Sequence, residues 1–482
     1  MIASSLPSEW TGGPSRFPAG RSDRQQAQRR VHGRVPGGYV AAARLEERVF
    51  GFLPALVCLY VTVIFPLCLR LFPSEELESR IEHRIFWPCV AGLALLGCAR
   101  RFRSLRARDV PLSLWLLGLY LALALCSLAW SAAPDIAFRR LVQQILVISA
   151  VAGPVLFSGR ALRVIPSLTT AFALASAVNL VAVMVLPPTE LGYAGVFTQK
   201  NTLGQFAGIG LLVAMLSIQK ADRVRDRGLS LFSAGACCAL LVLSQSKTSL
   251  GLALACPLLS MAVVFFGRTC RVSPVLVVLL LLAAALSLTA PVSLVVGRTF
   301  DDVSLFLFND TTFTGRSYIW SFAMEAIERR PLIGWGYQSF WLIGQDSVSV
   351  REAPGFVASM PHAHNGYIDV LLELGVAGLT LLLAMLVAAL WSAGDLSDRR
   401  PWIAAGWIAI LVFVASHNLL ESSWVRGADL PWVMFLIAAS QPRRARDVPS
   451  RRGGGTAAPL GGLRTRLLPS DVRSISAPGA AG

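Results

Sequence analysis

Charge is missing from this chain in long blocks, and the blocks are about as long as a bilayer is thick. A helix needs about 20 residues to cross the hydrocarbon core, and twelve apolar stretches stand out: 49–69, 85–99, 111–131, 141–158, 164–186, 202–218, 229–243, 249–266, 273–296, 366–391, 402–420 and 428–440. The second, seventh and twelfth are the shortest. A backbone facing lipid must satisfy its own hydrogen bonds, so such runs are helices rather than strands. Only 15% of the 482 residues are charged and 54% are hydrophobic, whereas soluble proteins carry roughly 25% charged residues. A set of soluble domains is therefore excluded. The predicted fold class is all-α: a polytopic membrane helix bundle of about 12 transmembrane helices, with one large extracytoplasmic loop containing a short amphipathic helix.

With the N-terminus inside, most of the 44 Lys and Arg fall on cytoplasmic segments, including Arg100, Arg101, Arg103, Arg106 and Arg108 and the run Lys220, Arg223, Arg225 and Arg227. That asymmetry is the positive-inside pattern. The net charge of +16 then reflects topology and not nucleic-acid binding, for which a recognisable reading element would be expected. The nine cysteines lie in apolar runs or on a cytoplasmic loop, so neither a disulfide framework nor thiolate catalysis is expected. Residues 1–48 read as a basic, disordered cytoplasmic tail, too long before the first apolar run for a cleavable signal peptide. Residues 441–482 read as a second disordered cytoplasmic tail, too poor in apolar residues to fold alone. The membrane domain is residues 49–440.

The conspicuous irregularity is the interval 297–365. Long loops are usually functional or disordered, and this one is rich in aromatics, so it is expected to fold. Apolar residues at Ile319, Phe322, Ala323, Ala326 and Ile327 predict a helix over Tyr318–Arg329, lying along the membrane surface and ending before Arg330-Pro331. Thr314-Gly315-Arg316-Ser317 precedes it, the stretch Pro331 to Trp341 follows, and Met360-Pro361-His362-Ala363-His364-Asn365-Gly366 closes the loop. Two other outward segments are more polar than lipid contact requires: Thr198-Gln199-Lys200-Asn201 and Ser244-Gln245-Ser246-Lys247-Thr248. All five are predicted to meet on one membrane face.

At these residues the sequence resembles the O-antigen ligase and Wzy-type polymerase superfamily of bacterial membrane glycan-assembly enzymes. His364-Asn365, nine residues and then Gly375 reproduces that family's His-Asn-x9-Gly signature, and Ser246-Lys247-Thr248 stands where ligases usually show a Ser-Arg pair. Lys200-Asn201, Gly315-Arg316 and Pro331 to Trp341 resemble further landmarks, so the likeness covers residues from about 190 to 430. The resemblance implies transfer of a glycan from undecaprenyl diphosphate to an acceptor sugar hydroxyl, without metal, nucleotide sugar or other cofactor. His364 is then the candidate base, and Arg316, Lys247 and Lys200 the candidate cations for the departing diphosphate. Asn201, Asn365, Trp335 and Tyr337 are candidate substrate-binding residues. The expected partners are the lipid-linked saccharide, the acceptor glycan, the bilayer and a chain-length regulator, with no nucleic acid. The expected location is the bacterial inner membrane, with both termini cytoplasmic and the site periplasmic.

Plainer readings stand beside these. Lys200 and Lys247 are either diphosphate ligands or interfacial lysines whose amines reach headgroups. Trp335, Tyr337, Phe340 and Trp341 either stack on sugars or form an interfacial belt. Arg316 opens a helix, where a cation opposes the dipole, so it requires an anion from substrate or from protein. His362 reads as a structural loop histidine. Asp369 and Glu373 share a helix face and need a cationic partner, Gly375 and Gly378 permit close helix packing, and Glu421 can pair with Arg426. Polymerisation of exopolysaccharide or O-antigen repeat units is the leading function, with ligation to lipid A core or protein as the alternative. A flippase or transporter is the more distant one, disfavoured because ionisable groups within the spans sit toward the outer ends.

Overall fold

A computed structural model describes residues 50–72, 80–103, 105–158, 164–189, 192–219, 224–283, 315–345 and 347–441. The expected tail over 1–48, all of the expected tail over 441–482 except Gln441, the end of the ninth apolar stretch, the start of the large loop and Lys220 and Arg223 lie outside the described residues. What is described is helical, and the apolar stretches are where the helices form. They are α1 (Phe50–Leu71), α2 (Ile81–Phe102), α3 (Leu112–Cys126), α4 (Pro134–Phe157), α5 (Val164–Val185), α6 (Lys200–Ile218) and α7 (Val224–Ser244). They continue with α8 (Lys247–Cys270), α9 (Pro274–Ala283), α10 (Arg316–Arg329), α11 (Gly366–Gly394), α12 (Pro401–His417) and α13 (Leu430–Ala439). Among the described residues eight helices are long and apolar enough to cross a membrane: α1, α3 to α8 and α11. Helices α9, α12 and α13 are shorter apolar helices, and α2 carries charged residues at both ends.

Local chemistry sets the helix details. In α1 the turn Tyr60–Ile64 widens into a π-helix immediately before Pro66, because the proline ring crowds the preceding turn and offers no amide to it. Helix α4 starts at Pro134, whose fixed φ and missing N–H suit a first turn. It therefore takes Arg139 and Arg140 into the helix instead of leaving them in the loop before it, and Arg140 Nη1 donates to the carbonyl of Gln338.

Helix α6 is the most deeply buried of the eight, packing on α5, α7, α8 and α12. Its glycines permit this. A Cβ on Gly204 would overlap Ser246, one on Gly208 would overlap the Phe413 ring, and one on Gly210 would overlap Cys237. Close approach through small residues replaces the hydrophobic drive that lipid cannot supply. The apolar core runs through Phe172, Phe206, Trp407, Phe413, Trp432 and Phe435.

Helix α10 forms in the large loop and buries Ile319, Phe322, Ala323, Ala326 and Ile327. Their partners are Phe340, Trp341, Val357, Ala363 and Leu372, a cluster separate from the main core. The loop is joined to α11 by backbone bonds. Gly375 takes φ 63 and ψ −161 inside α11, a region open essentially to glycine alone. The break frees the carbonyls of Leu372 and Glu373 to accept from Trp335 N and Gly336 N, both at 2.8 Å. It also frees Val376 N to donate to Pro331 O at 2.9 Å, with Ala377 N to Leu332 O at 3.3 Å. A Cβ at Gly375 would overlap the Leu332 backbone. Gly375 therefore serves a chain break that seats the loop, which corrects the expectation of simple helix packing.

Candidate active site

The end of the bundle where α6, α8, α10 and α11 begin and α12 ends gathers the polar residues. His364 takes the left-handed conformation, φ 51, and turns the chain into α11. Asn365 is the N-cap, its Oδ1 accepting from Tyr367 N at 3.0 Å and Ile368 N at 3.2 Å, so that oxygen serves the helix rather than a substrate. Gly366 N donates to the carbonyls of Asn418 at 2.9 Å and Glu421 at 3.1 Å. Asn418 Oδ1 accepts from Ser423 N at 2.8 Å and Trp424 N at 3.1 Å. The segment carrying Glu421 is thereby fixed against the start of α11.

Glu421 is the hub. Its Oε1 accepts from Arg316 Nη2 at 3.0 Å and from Asn201 Nδ2 at 2.9 Å, and its Oε2 lies 3.3 Å from His364 Nδ1. Burial opposes the charged form, but the contact from His364 and the charges of Arg316 and the two histidines outweigh it and hold the carboxyl at about 2. Arg316 is pulled below its ordinary value by burial, with Glu421 acting against that, and it stays cationic. The anion that its place at the helix start requires comes from the protein. This also corrects the expected pairing of Glu421 with Arg426.

His362 stands edge-on to His364, ring centroids 4.3 Å apart, and its Nδ1 accepts from His364 N at 3.2 Å. Burial chiefly, with Arg426 and His364 adding to it, pushes His362 down to about 4, so it is neutral near pH 7.

Lys200 and Lys247 are the first residues of α6 and α8, and their ammonium groups are close enough for their charges to interact. Lys247 is exposed and Lys200 half-buried, and each has contacts of its own. Beneath them His417, 1% exposed, joins α8 to α6 through Ser249 Oγ at 3.2 Å and Gln205 Nε2 at 3.1 Å.

Behind His364 lies a second ionic cluster. Arg426 Nη2 is 3.1 Å from Asp369 Oδ2 and 3.7 Å from Glu373 Oε1, which supplies the cationic partner those acids need. Asp369 Oδ1 also accepts from Ala363 N at 3.0 Å and Trp341 Nε1 at 2.8 Å, and so holds the residue before His364.

The aromatic candidates are placed differently. Tyr337 is 0% exposed, with its hydroxyl donating to Val425 O at 3.2 Å. Its ring presents no face to a sugar, which corrects that expectation. Phe340 and Trp341 are buried as well. Trp335 is half-buried, its indole N–H bonded to Ala326 O at 3.0 Å and its ring covered by Arg330 at 4.4 Å. The structure thus brings His364, Arg316 and Asn201 together on one carboxylate, sets Lys200 beside Asn201 and Lys247 near it, and gives Asn365 and Tyr337 structural partners. In sequence Glu421 stands beside Arg426 and Asp429 on one short outward segment, which suggests a local pair with Arg426 and gives no sign of Arg316, His364 or Asn201.

Comparison with known proteins bears on this geometry. Residues 229–383 match the O-antigen ligase family, an interval that contains Lys247, Arg316 and His364 and leaves out Asn201 and Glu421. Over 225 residues the chain is 29% identical to the exopolysaccharide production protein ExoQ of Rhizobium meliloti (strain 1021), covering 43% of this chain and 49% of that protein. The chain spans about half the length of the curated relative it matches.

Proposed function

We propose that this multi-pass membrane protein, whose residues 229–383 match the O-antigen ligase family, transfers a glycan from a polyprenyl diphosphate to a sugar hydroxyl. The observation that carries the proposal is the single carboxylate of Glu421 held between His364 and Arg316. An ionised carboxylate only accepts hydrogen bonds. Its contact with Nδ1 therefore puts the imidazole proton on that nitrogen and leaves the Nε2 lone pair available.

In the reaction the acceptor hydroxyl gives its proton to His364 Nε2 as its oxygen bonds to the anomeric carbon. The bond from that carbon to the diphosphate oxygen breaks, and its electron pair leaves with the lipid diphosphate. Direct displacement inverts the anomeric centre. Arg316 spends one N–H on Glu421 and keeps other donors for phosphate oxygens. Lys247 and Lys200 add compact positive charge, and Asn201 holds the far side of Glu421. The scheme calls for no cofactor.

Undecaprenyl diphosphate is the proposed carrier, and the site faces the periplasm from the inner membrane. Polymerisation of repeat units is preferred over ligation to lipid A core or protein, because the similar Rhizobium meliloti protein is named for exopolysaccharide production. The test is reconstitution of the full chain in proteoliposomes with lipid-linked repeat units. Wild type extends them without added acceptor if it is a polymerase and needs a core acceptor if it is a ligase. His364→Ala is expected to lose roughly 10²–10⁴-fold in rate with its thermal midpoint unchanged. A His364→Ala protein that transfers at the wild-type rate refutes the assigned base.

A further inference from the structure

Beside the Glu421 hub, between α1, the start of α6 and the start of α13, lies a cavity of about 180 Å³. Its wall has two kinds of surface. Phe65, Phe197 and Phe206 form an apolar side, and Thr198, Thr202, Gln205 and Asp429 a polar one. Asp429 is the unusual member. It occupies the N-cap of α13, where a carboxylate normally bonds the first free amides, yet it makes no cap bond, and Pro431 has removed one of the amides it would have reached. Among the described residues its carboxylate accepts no hydrogen bond, and the hydroxyls of Thr198 and Thr202 make none either. Gln205, by contrast, is anchored to His417 at 3.1 Å. Exposed Thr198 and half-buried Thr202 and Asp429 set three available hydrogen-bonding groups opposite aromatic rings, which suits a ligand with polar edges and an apolar face.

The charge arrangement narrows the class. The wall contains one ionisable side chain, the Asp429 carboxylate, and no Lys or Arg; the charges of Arg426 and, less strongly, Glu421 both reach Asp429, so the wall itself offers a phosphate no donor cation. A sugar ring fits, with vicinal hydroxyls donating to a carboxylate and its C–H face resting on phenyl rings. We propose that this cavity is a saccharide subsite in which Asp429 and Thr202 hold a sugar residue next to the Glu421–His364 pair. The assignment rests on the glycan-transfer reading for its role, and on the cavity's own groups for its ligand class. The closeness of Asp429 to Glu421, the carboxylate that contacts His364, favours the acceptor sugar over the donor sugar.

The experiment uses the full chain in nanodiscs and two readouts. Saturation-transfer NMR with a panel of methyl hexosides, run on wild type, His364→Ala, Asp429→Asn and Thr202→Val, reads binding without turnover. Signal is expected in wild type and His364→Ala, and at least a several-fold loss in Asp429→Asn and Thr202→Val at unchanged thermal midpoints. Steady-state transfer is then measured with donor and acceptor varied separately. A rise of about tenfold or more in the acceptor KM at near-constant kcat supports the acceptor subsite, and the same rise in the donor KM keeps the saccharide subsite and moves it to the donor. Absence of hexoside signal in wild type, or signal and both KM values unchanged in Asp429→Asn and Thr202→Val, overturns the proposal. A chain that binds hexosides through Asp429 but transfers nothing refutes the glycan-transfer reading and not the subsite. A chain that transfers normally with Asp429 and Thr202 replaced refutes the subsite and not the reading.

Discussion

At the scale of single residues, one carboxylate organises three donors that come from far apart in the chain. Glu421 lies 105 residues from Arg316, 57 from His364 and 220 from Asn201. Glu421→Gln keeps the side-chain volume but removes the charge and turns an acceptor into a partial donor, which leaves Arg316 facing no anion. Loss of such an orienting partner typically costs about 10–100-fold in activity, and initial rates of transfer in proteoliposomes check it. His362 gives a pH signature. Its folded value, about 4, lies below the ordinary 6.5, so between these values the unfolded chain binds a proton that the folded chain does not, and stability falls as pH falls through that window. The thermal midpoint of wild type is expected to drop from pH 6.5 to pH 4, and His362→Gln to flatten that slope. His364 and Arg316 were legible in sequence because polar side chains on outward loops between apolar runs have few structural duties. Glu421 was not legible as their partner, since spacing along the chain says nothing about which loops meet in space.

At the scale of elements, hydropathy is a local property, and the helices formed where the apolar stretches indicated. The misplacements fall where polar residues join a helix. Helix α2 starts at Ile81 instead of 85, because His83 finds Tyr60 at 2.9 Å and Trp87 at 3.1 Å and Arg80 reaches the carbonyls at the end of α1. The break in α11 was illegible, since a glycine in an apolar run reads equally as a packing residue. It carries a sharp expectation. Gly375→Ala meets both a glycine-only conformation, worth about 1–3 kcal/mol, and overlap with Leu332. Its thermal midpoint is expected to fall markedly, while Gly92→Ala in α2, with open space around the glycine, stays within error of wild type.

At the scale of the whole molecule, charge and geometry agree on a two-sided protein. The residues gathered around Glu421 come from segments that alternate with arginine-rich ones along the chain, as expected if successive helices run in opposite directions. An epitope inserted between Gly344 and Gln345 is expected to bind antibody on intact spheroplasts. One inserted between Leu105 and Arg106 is expected to bind only after permeabilisation, and the reverse pattern would place the site in the cytoplasm. The interrupted helix α11 also bears on the order in which the chain is assembled during synthesis. Its first turns cannot rest in lipid alone, because the carbonyls of Leu372 and Glu373 take their donors from the loop that precedes the helix, and Asp369 and Glu373 await an arginine more than fifty residues downstream. The ionic partners of that stretch are therefore complete only after Arg426 has been synthesised.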